Sequence, residues 1–310
     1  MKLTKALFAL LTASLLLCTA LLGCTTQPAA DPATDPTEAP AADPTEAPAA
    51  DPTEAPVDAT EAPATDTEVD PDSDLAYILD KGTLVIGITQ YAPMNYYDES
   101  GELIGFDTEF AEALCAELGV TPEFIVIDWD TKELELKSKK IDCIWNGLTI
   151  KEDRRENMDF STAYLKNEQV VVIRAEDAAL YTDLASFDGV SVVAEAGSAG
   201  EDTVYTDMPS AVFTGVAAQS DALLEVKAGT ADAAVIDYTM ATAMTGEGTD
   251  YSELMIVTGI DLMDEEYAIG FRLGSDMTEK ANEIIASFLD DGTLAALAEK
   301  YELSDLLITD

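Results

Sequence analysis

The chain has 310 residues, with 61 acidic and 16 basic side chains, a formal net charge of −45 and no histidine. The missing histidine excludes Ser-His-Asp and Cys-His catalysis and the commonest zinc ligand. The negative charge excludes recognition of nucleic-acid phosphates and adsorption to anionic lipid headgroups, so any membrane link has to be covalent.

The chain starts with a secretory signature. Lys2 and Lys5 precede an uncharged run over residues 6–22, which ends in Leu21-Leu22-Gly23-Cys24. A basic start, an apolar stretch and a small residue before a cysteine predict a signal peptide over residues 1–23 and lipidation at Cys24. The ending resembles the bacterial lipobox, with Leu22 where a smaller residue is more usual. The alternative is an uncleaved anchor, because the apolar run is at the short edge of what spans a bilayer. Either reading puts residues 25–310 outside the cytoplasmic membrane.

Residues 24–74 form the next segment, the lipidated cysteine and a linker. Beyond Cys24 the linker has no Lys or Arg, and Ala41-Ala42-Asp43-Pro44-Thr45-Glu46-Ala47-Pro48 recurs at once over residues 49–56. A short Pro, Asp, Glu, Thr and Ala repeat buries no core and is expected to stay disordered. In polyproline II form, at about 3.1 Å per residue, about 50 residues reach roughly 150 Å. That suits a tether holding a domain clear of a membrane. Of four cysteines, Cys18 leaves with the signal and Cys24 takes the lipid. Cys115 and Cys143 remain, without CxxC spacing. They read as two buried thiols or as a disulfide, which the oxidising exterior allows.

The folded part, residues 75–310, alternates strands and helices. Thr83-Leu84-Val85-Ile86-Gly87-Ile88 reads as a strand, and residues 96–104, with Glu99-Ser100-Gly101 at the tip, as a hairpin. Asp107 is expected to cap a helix whose apolar positions Phe110, Ala111, Leu114 and Leu118 keep helical spacing up to Gly119. Strands are predicted over residues 123–127, 141–145 and 170–173, with a helix over 131–138 and a polar helix from Lys151. A second cycle follows, with strands over 190–193, 211–213 and 233–236 and helices from Gly200, Asp221 and Tyr238. Such alternation predicts an α/β fold with mainly parallel sheets. Ligands then bind beyond the carboxyl ends of the strands, so the residues just after each strand matter most.

Those residues form a charge-complementary set. Tyr91 follows the first strand and offers an aromatic face, or is an ordinary rim tyrosine. Gly147 and Thr149 follow the strand ending at Trp145. Arg154 offers a bidentate fork for a carboxylate, or is a solvated helix residue. Ala196-Gly197-Ser198-Ala199-Gly200 joins a strand to a helix, where backbone amides form an anion site, or is a plain flexible turn. Asp237 follows a strand directly and faces an ammonium group, or caps the next helix. Together, Arg154, Thr149 and the Gly197–Ala199 turn match a carboxylate and Asp237 an amine. This is the zwitterion of a free α-amino acid, and no nucleophile–base pair accompanies it.

These motifs carry a resemblance. Gly82-Thr83-Leu84-Val85-Ile86-Gly87, Tyr91-Ala92-Pro93, Gly101-Glu102-Leu103-Ile104-Gly105-Phe106-Asp107, Gly147-Leu148-Thr149-Ile150 with Arg154, Asp159-Phe160-Ser161 with Tyr164, Gly197-Ser198, Ala231-Asp232-Ala233 with Asp237, Gly270-Phe271-Arg272 and Asp291-Gly292-Thr293-Leu294 occur in order. In this the chain resembles the family 3 extracellular solute-binding proteins, the amino-acid receptors of ABC importers. The resemblance implies a two-lobed, type II clamshell with two hinge crossings. Lobe 1 would span about 75–173 and 269–310, and lobe 2 about 174–268. By position, it implies that Tyr91 stacks on the ligand and that the Gly147 backbone and Thr149 contact it. Arg154 would hold the α-carboxylate, Ser198 and the Ala199 amide would assist, and Asp237 would take the α-ammonium. Met94 stands where the family usually has Phe. Trp145 and Asn146 replace smaller residues, and all three bear on side-chain specificity.

The expected function is that of a lipid-anchored, monomeric, extracytoplasmic receptor. It would bind a free L-amino acid and deliver it to an ABC permease with its ATPase subunits, without cofactor, metal or catalysis. A dehydratase of cyclic carboxylates on the same scaffold is the enzymatic alternative, with Glu195 as candidate general acid. A sensor or adhesion module is the third reading.

Overall fold

The structure, a computed structural model, describes residues 70–309. The expected signal peptide, Cys24 and nearly all of the linker lie outside the described residues. Ser73 accepts a hydrogen bond from the Ala76 N–H and starts helix α1 (Asp74–Lys81). Strand β1 (Thr83–Ile88) follows, then the expected hairpin of β2 (Tyr96–Tyr97) and β3 (Leu103–Ile104). Helix α2 (Phe106–Leu118) leads to β4 (Thr121–Val126), α3 (Lys132–Lys137), β5 (Cys143–Ile144), α4 (Glu152–Arg155) and β6 (Met158–Phe160). The long β7 (Leu165–Arg174) is followed by β8 (Ser191–Glu195), α5 (Ala199–Asp207), β9 (Val212–Val216), α6 (Gln219–Ala228), β10 (Ala233–Asp237) and α7 (Tyr238–Met244). The last elements are β11 (Leu254–Ile256), β12 (Asp264–Tyr267), β13 (Gly270–Arg272), α8 (Met277–Asp290) and α9 (Thr293–Lys300).

Two sheets organise two lobes. The first has the order β4-β1-β5-β13-β6 and the second β11-β7-β10-β8-β9. β1 pairs in parallel with β4 and β5, and β8 with β9 and β10. Antiparallel pairs enter through β13 in the first sheet and through β7 in the second. The chain crosses from β6 to β7 and returns from β12 to β13, and β7 and β12 pair antiparallel at the crossing, Leu165 opposite Tyr267 and Glu168 opposite Asp264. The changeover therefore falls earlier than the expected boundary at residues 173–174. Val170 to Ile173 pair with β10 inside the second sheet, because their unbroken apolar run is buried on both faces there. After β13 the chain stays with the first lobe, where α8 and α9 pack on α2.

Asp107 does not cap α2. Gly105 occupies that position without a side-chain cap, and Asp107 is the second residue of the helix. Its carboxylate is fully buried and accepts the Gly147 N–H at 2.7 Å. Burial pushes its carboxyl up to about 6, while the Gly147 hydrogen bond opposes the rise. The residue thus ties helix α2 to the loop after β5. Cys115 and Cys143 are free, buried thiols of one apolar core. Burial pushes the Cys115 thiol up to about 12 and Cys143 well above its ordinary value, so neither is a reactive thiolate.

Candidate functional site

The ends of β5, β8 and β10 converge between the lobes on a small cavity of about 10 Å³, lined by Gly147, Thr149, Arg154, Glu195, Ser198, Ala199 and Asp237, together with Trp129, Asn146 and Gln219. The lobes touch around it. Lys132 and Arg154 of the first lobe both donate to the Gly197 carbonyl of the second, at 2.9 and 3.2 Å. Lys151 pairs with Asp202 and the Tyr91 hydroxyl meets Thr239 across the same cleft.

Arg154 is 3% exposed, although it sits in a one-turn helix between charged neighbours. Its guanidinium also donates to the Thr149 carbonyl at 2.9 Å, and it forms no ion pair among the described residues. Burial lowers its pKa. A buried cation held only by two carbonyls lacks the anion that would repay its desolvation. The Thr149 hydroxyl donates to Glu265 at 3.1 Å.

Asp237 ends β10. It occupies the position before α7, yet its side chain makes no capping hydrogen bond. The carboxylate instead accepts from the side-chain amides of Asn167 at 3.0 Å, Gln169 and Gln219. Asn167 and Gln169 also donate to Glu265, at 2.8 and 3.0 Å. Burial raises the pKa of both carboxyl groups, and the Asp237 charge adds to the rise at Glu265. Neither group forms an ion pair among the described residues, although the charges of Arg154 and Glu265 are close enough to interact. A ligand ammonium there would relieve two buried acids at once.

Glu195 ends β8 and is 2% exposed, with Oε1 buried and unpartnered. Burial, then the Asp237 charge, push its carboxyl up to about 8. In the folded protein it keeps its proton up to about 8, whereas the unfolded chain releases it near the ordinary 4.5. Stability from this group is full below 4.5 and is lost as pH rises through about 8. Glu195→Gln is therefore expected to flatten the fall of ligand-free stability across that window. Urea unfolding at a series of pH values measures this, and an unchanged slope would show that Glu195 titrates normally.

Of the residues singled out in the sequence, Gly147, Thr149, Arg154, Ser198, Ala199, Asp237 and Asn146 are brought together around the cavity. Ser198 also caps α5, accepting the Glu201 N–H at 3.1 Å, and the Gly197 amide is taken by the Glu201 carboxylate at 2.6 Å. The turn thus has less free anion-binding capacity than expected, and Ala199, first in α5 and without an intrahelical acceptor, retains an N–H. Tyr91 lies beside the cavity rather than on its wall. Its ring edge packs over Gly147, where a Cβ would come within 2.6 Å of Cε1, and its hydroxyl meets Tyr267 at 2.6 Å. Met94 and Trp145 are fully buried core residues, and Trp145 packs edge-on against Phe110 at 4.8 Å. Asn146 holds Thr89 and Asn95 through its amide as well as facing the cavity.

Sequence reading missed Lys132, Asn167, Gln169, Gln219 and Glu265. A signal existed for two of them, since Asn167 and Gln169 stand two apart on β7 and so share one face. Glu265 lies in the acidic run Asp264-Glu265-Glu266, which reads as surface until β12 buries its alternate positions.

Comparison with known proteins agrees with this geometry. Residues 84–304 match the family model of bacterial extracellular solute-binding proteins, family 3. The L-cystine-binding protein TcyJ of Escherichia coli K12 is 28% identical over 232 residues, covering 74% of this chain and 86% of that protein. The arginine-binding extracellular protein ArtP of Bacillus subtilis is 29% identical over 226 residues, covering 71% and 86%. Among solved structures, an ABC uptake transporter substrate-binding protein from Streptococcus pneumoniae with bound histidine aligns with a TM-score of 0.69 at 27% identity, covering 77% of this chain and 99% of that one. An ancestral amino-acid-binding protein described as a precursor of cyclohexadienyl dehydratase aligns at 0.67 and 28%, covering 74% and 99%. With the family match spanning both lobes and the cleft between them, this chain belongs to the bacterial extracellular solute-binding proteins, family 3.

Proposed function

We propose that this protein is an extracytoplasmic receptor that closes on a free L-amino acid and delivers it to an ABC-type permease. One observation carries the reading. Arg154 of the first lobe and Asp237 of the second are buried, opposite in charge and unpaired with each other, and they flank a single cavity. An α-carboxylate completes Arg154, with help from the Ala199 amide, and an α-ammonium completes Asp237 with Glu265. A ligand held by both lobes favours closure. The named relatives bind cystine, arginine and histidine, which supports an amino acid as the cargo. The receptor acts as a monomer, tethered through lipid at Cys24, and serves a permease with ATPase subunits.

Thermal unfolding of ligand-stripped protein against the twenty L-amino acids and L-cystine tests this. A ligand at about 100 times its dissociation constant adds about 2.7 kcal/mol, a rise of several degrees. No shift with any of them, in folded protein free of retained ligand, would sink the reading.

A second reading has one observation in its favour. Glu195 is a protonated carboxyl group on the cavity wall, the form a general acid needs, and one solved relative is described as a dehydratase precursor. A cyclic dicarboxylate, however, would set its charges against the buried pair of Asp237 and Glu265. The protein is therefore proposed to bind without converting. Absence of turnover with prephenate supports this, and measurable product would favour the dehydratase.

A further inference from the structure

Two more ionisable groups stand in the cleft without a task in holding an amino-acid headgroup. Lys132 begins α3 on the first lobe and is 4% exposed. Its ammonium lies over the Trp129 ring and donates to the Trp129 carbonyl at 3.1 Å and across the cleft to Gly197 at 2.9 Å, leaving one of three donors without a hydrogen-bond acceptor. Glu195, on the second lobe, is 2% exposed, and its Oε1 is buried on the cavity wall with no partner. Neither forms an ion pair among the described residues. Leaving a buried ammonium donor and a buried carboxyl oxygen unpartnered in one cleft is costly unless something comes between them. The arrangement repeats that of Arg154 and Asp237, with the cation on the first lobe and the carboxyl on the second.

Resting on the receptor reading, we propose that Lys132 and Glu195 read the far end of the ligand. They select an amino acid whose side chain ends in a group that accepts and donates hydrogen bonds at once, either a carboxamide or a second amino-acid headgroup. Other side chains fit worse for electrostatic reasons. A purely cationic end meets Lys132 close to Arg154. A purely anionic end meets the buried acid pair of Asp237 and Glu265 beside Glu195. An aliphatic end leaves both groups unsatisfied. The two favoured ends differ in length. The contact between Lys132 and the Gly197 carbonyl borders an outer cavity of about 540 Å³, which Lys132, Arg154, Gly197 and Asp202 help to line and which shares Arg154 with the inner one. A two-headed ligand displaces this contact and extends outward, whereas a carboxamide ends at it.

The test is calorimetry on the full chain, stripped of ligand. L-glutamine, L-asparagine, L-cystine and meso-diaminopimelate are compared with L-arginine, L-lysine, L-glutamate, L-leucine and L-alanine. One of the first four is expected to bind tightest. Lys132→Met and Glu195→Leu should each weaken that ligand roughly tenfold or more, the loss of a buried hydrogen bond, and by a larger factor than they weaken L-alanine. Glutamine or asparagine ranking first identifies the carboxamide, and cystine or diaminopimelate the second headgroup. Arginine, lysine, glutamate, leucine or alanine ranking first overturns the proposal and leaves the receptor reading intact. So do variants that fold and bind the best ligand as wild type does. The wild-type ranking decides the matter even where a variant fails to fold. Binding of no amino acid at all overturns the receptor reading and this one with it.

Discussion

Arg154→Ala is expected to weaken amino-acid binding by at least about 2 kcal/mol, roughly thirtyfold, because a buried carboxylate would lose its only charged partner. The guanidinium is buried and bound to the carbonyls of Thr149 and Gly197, so it is held in place before the ligand arrives. That preorganisation means little ordering cost remains at binding, and truncation removes nearly the full interaction. Folding should suffer less than binding. The unliganded protein loses two hydrogen bonds but also sheds an uncompensated buried charge, and these oppose each other. Calorimetry separates the two effects, with urea unfolding as the control. Affinity equal to wild type would remove Arg154 from the ligand site. Arg154→Lys should recover only part of the loss, since an ammonium lacks the planar fork that grips two oxygens.

Gly105→Ala should cost at least about 3 kcal/mol of stability, the sum of a forbidden backbone region and a steric clash. Gly105 has φ 133° and ψ 166°, a conformation open essentially to glycine alone. A Cβ there would lie 2.1 Å from the Met94 carbonyl oxygen and 2.9 Å from that of Pro93. Both atoms are backbone and both are engaged, since the Phe106 N–H donates to Pro93 at 2.8 Å and the Asp107 N–H to Met94 at 3.0 Å. Relief would require moving the start of α2. That shift would carry Asp107 away from Gly147 and so disturb the loop that ends at Thr149. For a domain of this size the melting temperature should drop by roughly 6–12 °C, and ligand affinity should fall as well. A melting temperature within about a degree of wild type, where a loss of 3 kcal/mol predicts several, would show that the turn relaxes at no cost.

The elements most legible in the sequence were those governed by local periodicity. The β-branched run at residues 83–88 and the apolar spacing from Phe110 to Leu118 emerged as β1 and α2, since each pattern pays off in burial on only one backbone geometry. Short elements were less legible. The strand expected over residues 141–145 is reduced to Cys143–Ile144, and the polar helix from Lys151 to a single turn, because neighbouring strands decide where pairing stops. In the same way Asp107 has the look of a cap in the string but is a buried acceptor in the fold. Its partner, Gly147, is 40 residues away.

The order of motifs along the chain determined the family, the alternation of strands and helices and the zwitterion-matching pair of Arg154 and Asp237. All of these depend on residue type and spacing, which one dimension records. Only the tertiary structure decided which lobe Val170 to Ile173 join, that Trp145 and Met94 belong to the core, and that Glu265, Gln169 and Gln219 surround Asp237. It alone also set Lys132 and Glu195 across one cleft, 63 positions apart in the sequence. Desolvation and long-range pairing create those relations, and both arise only when segments distant in the chain exclude water from the same space.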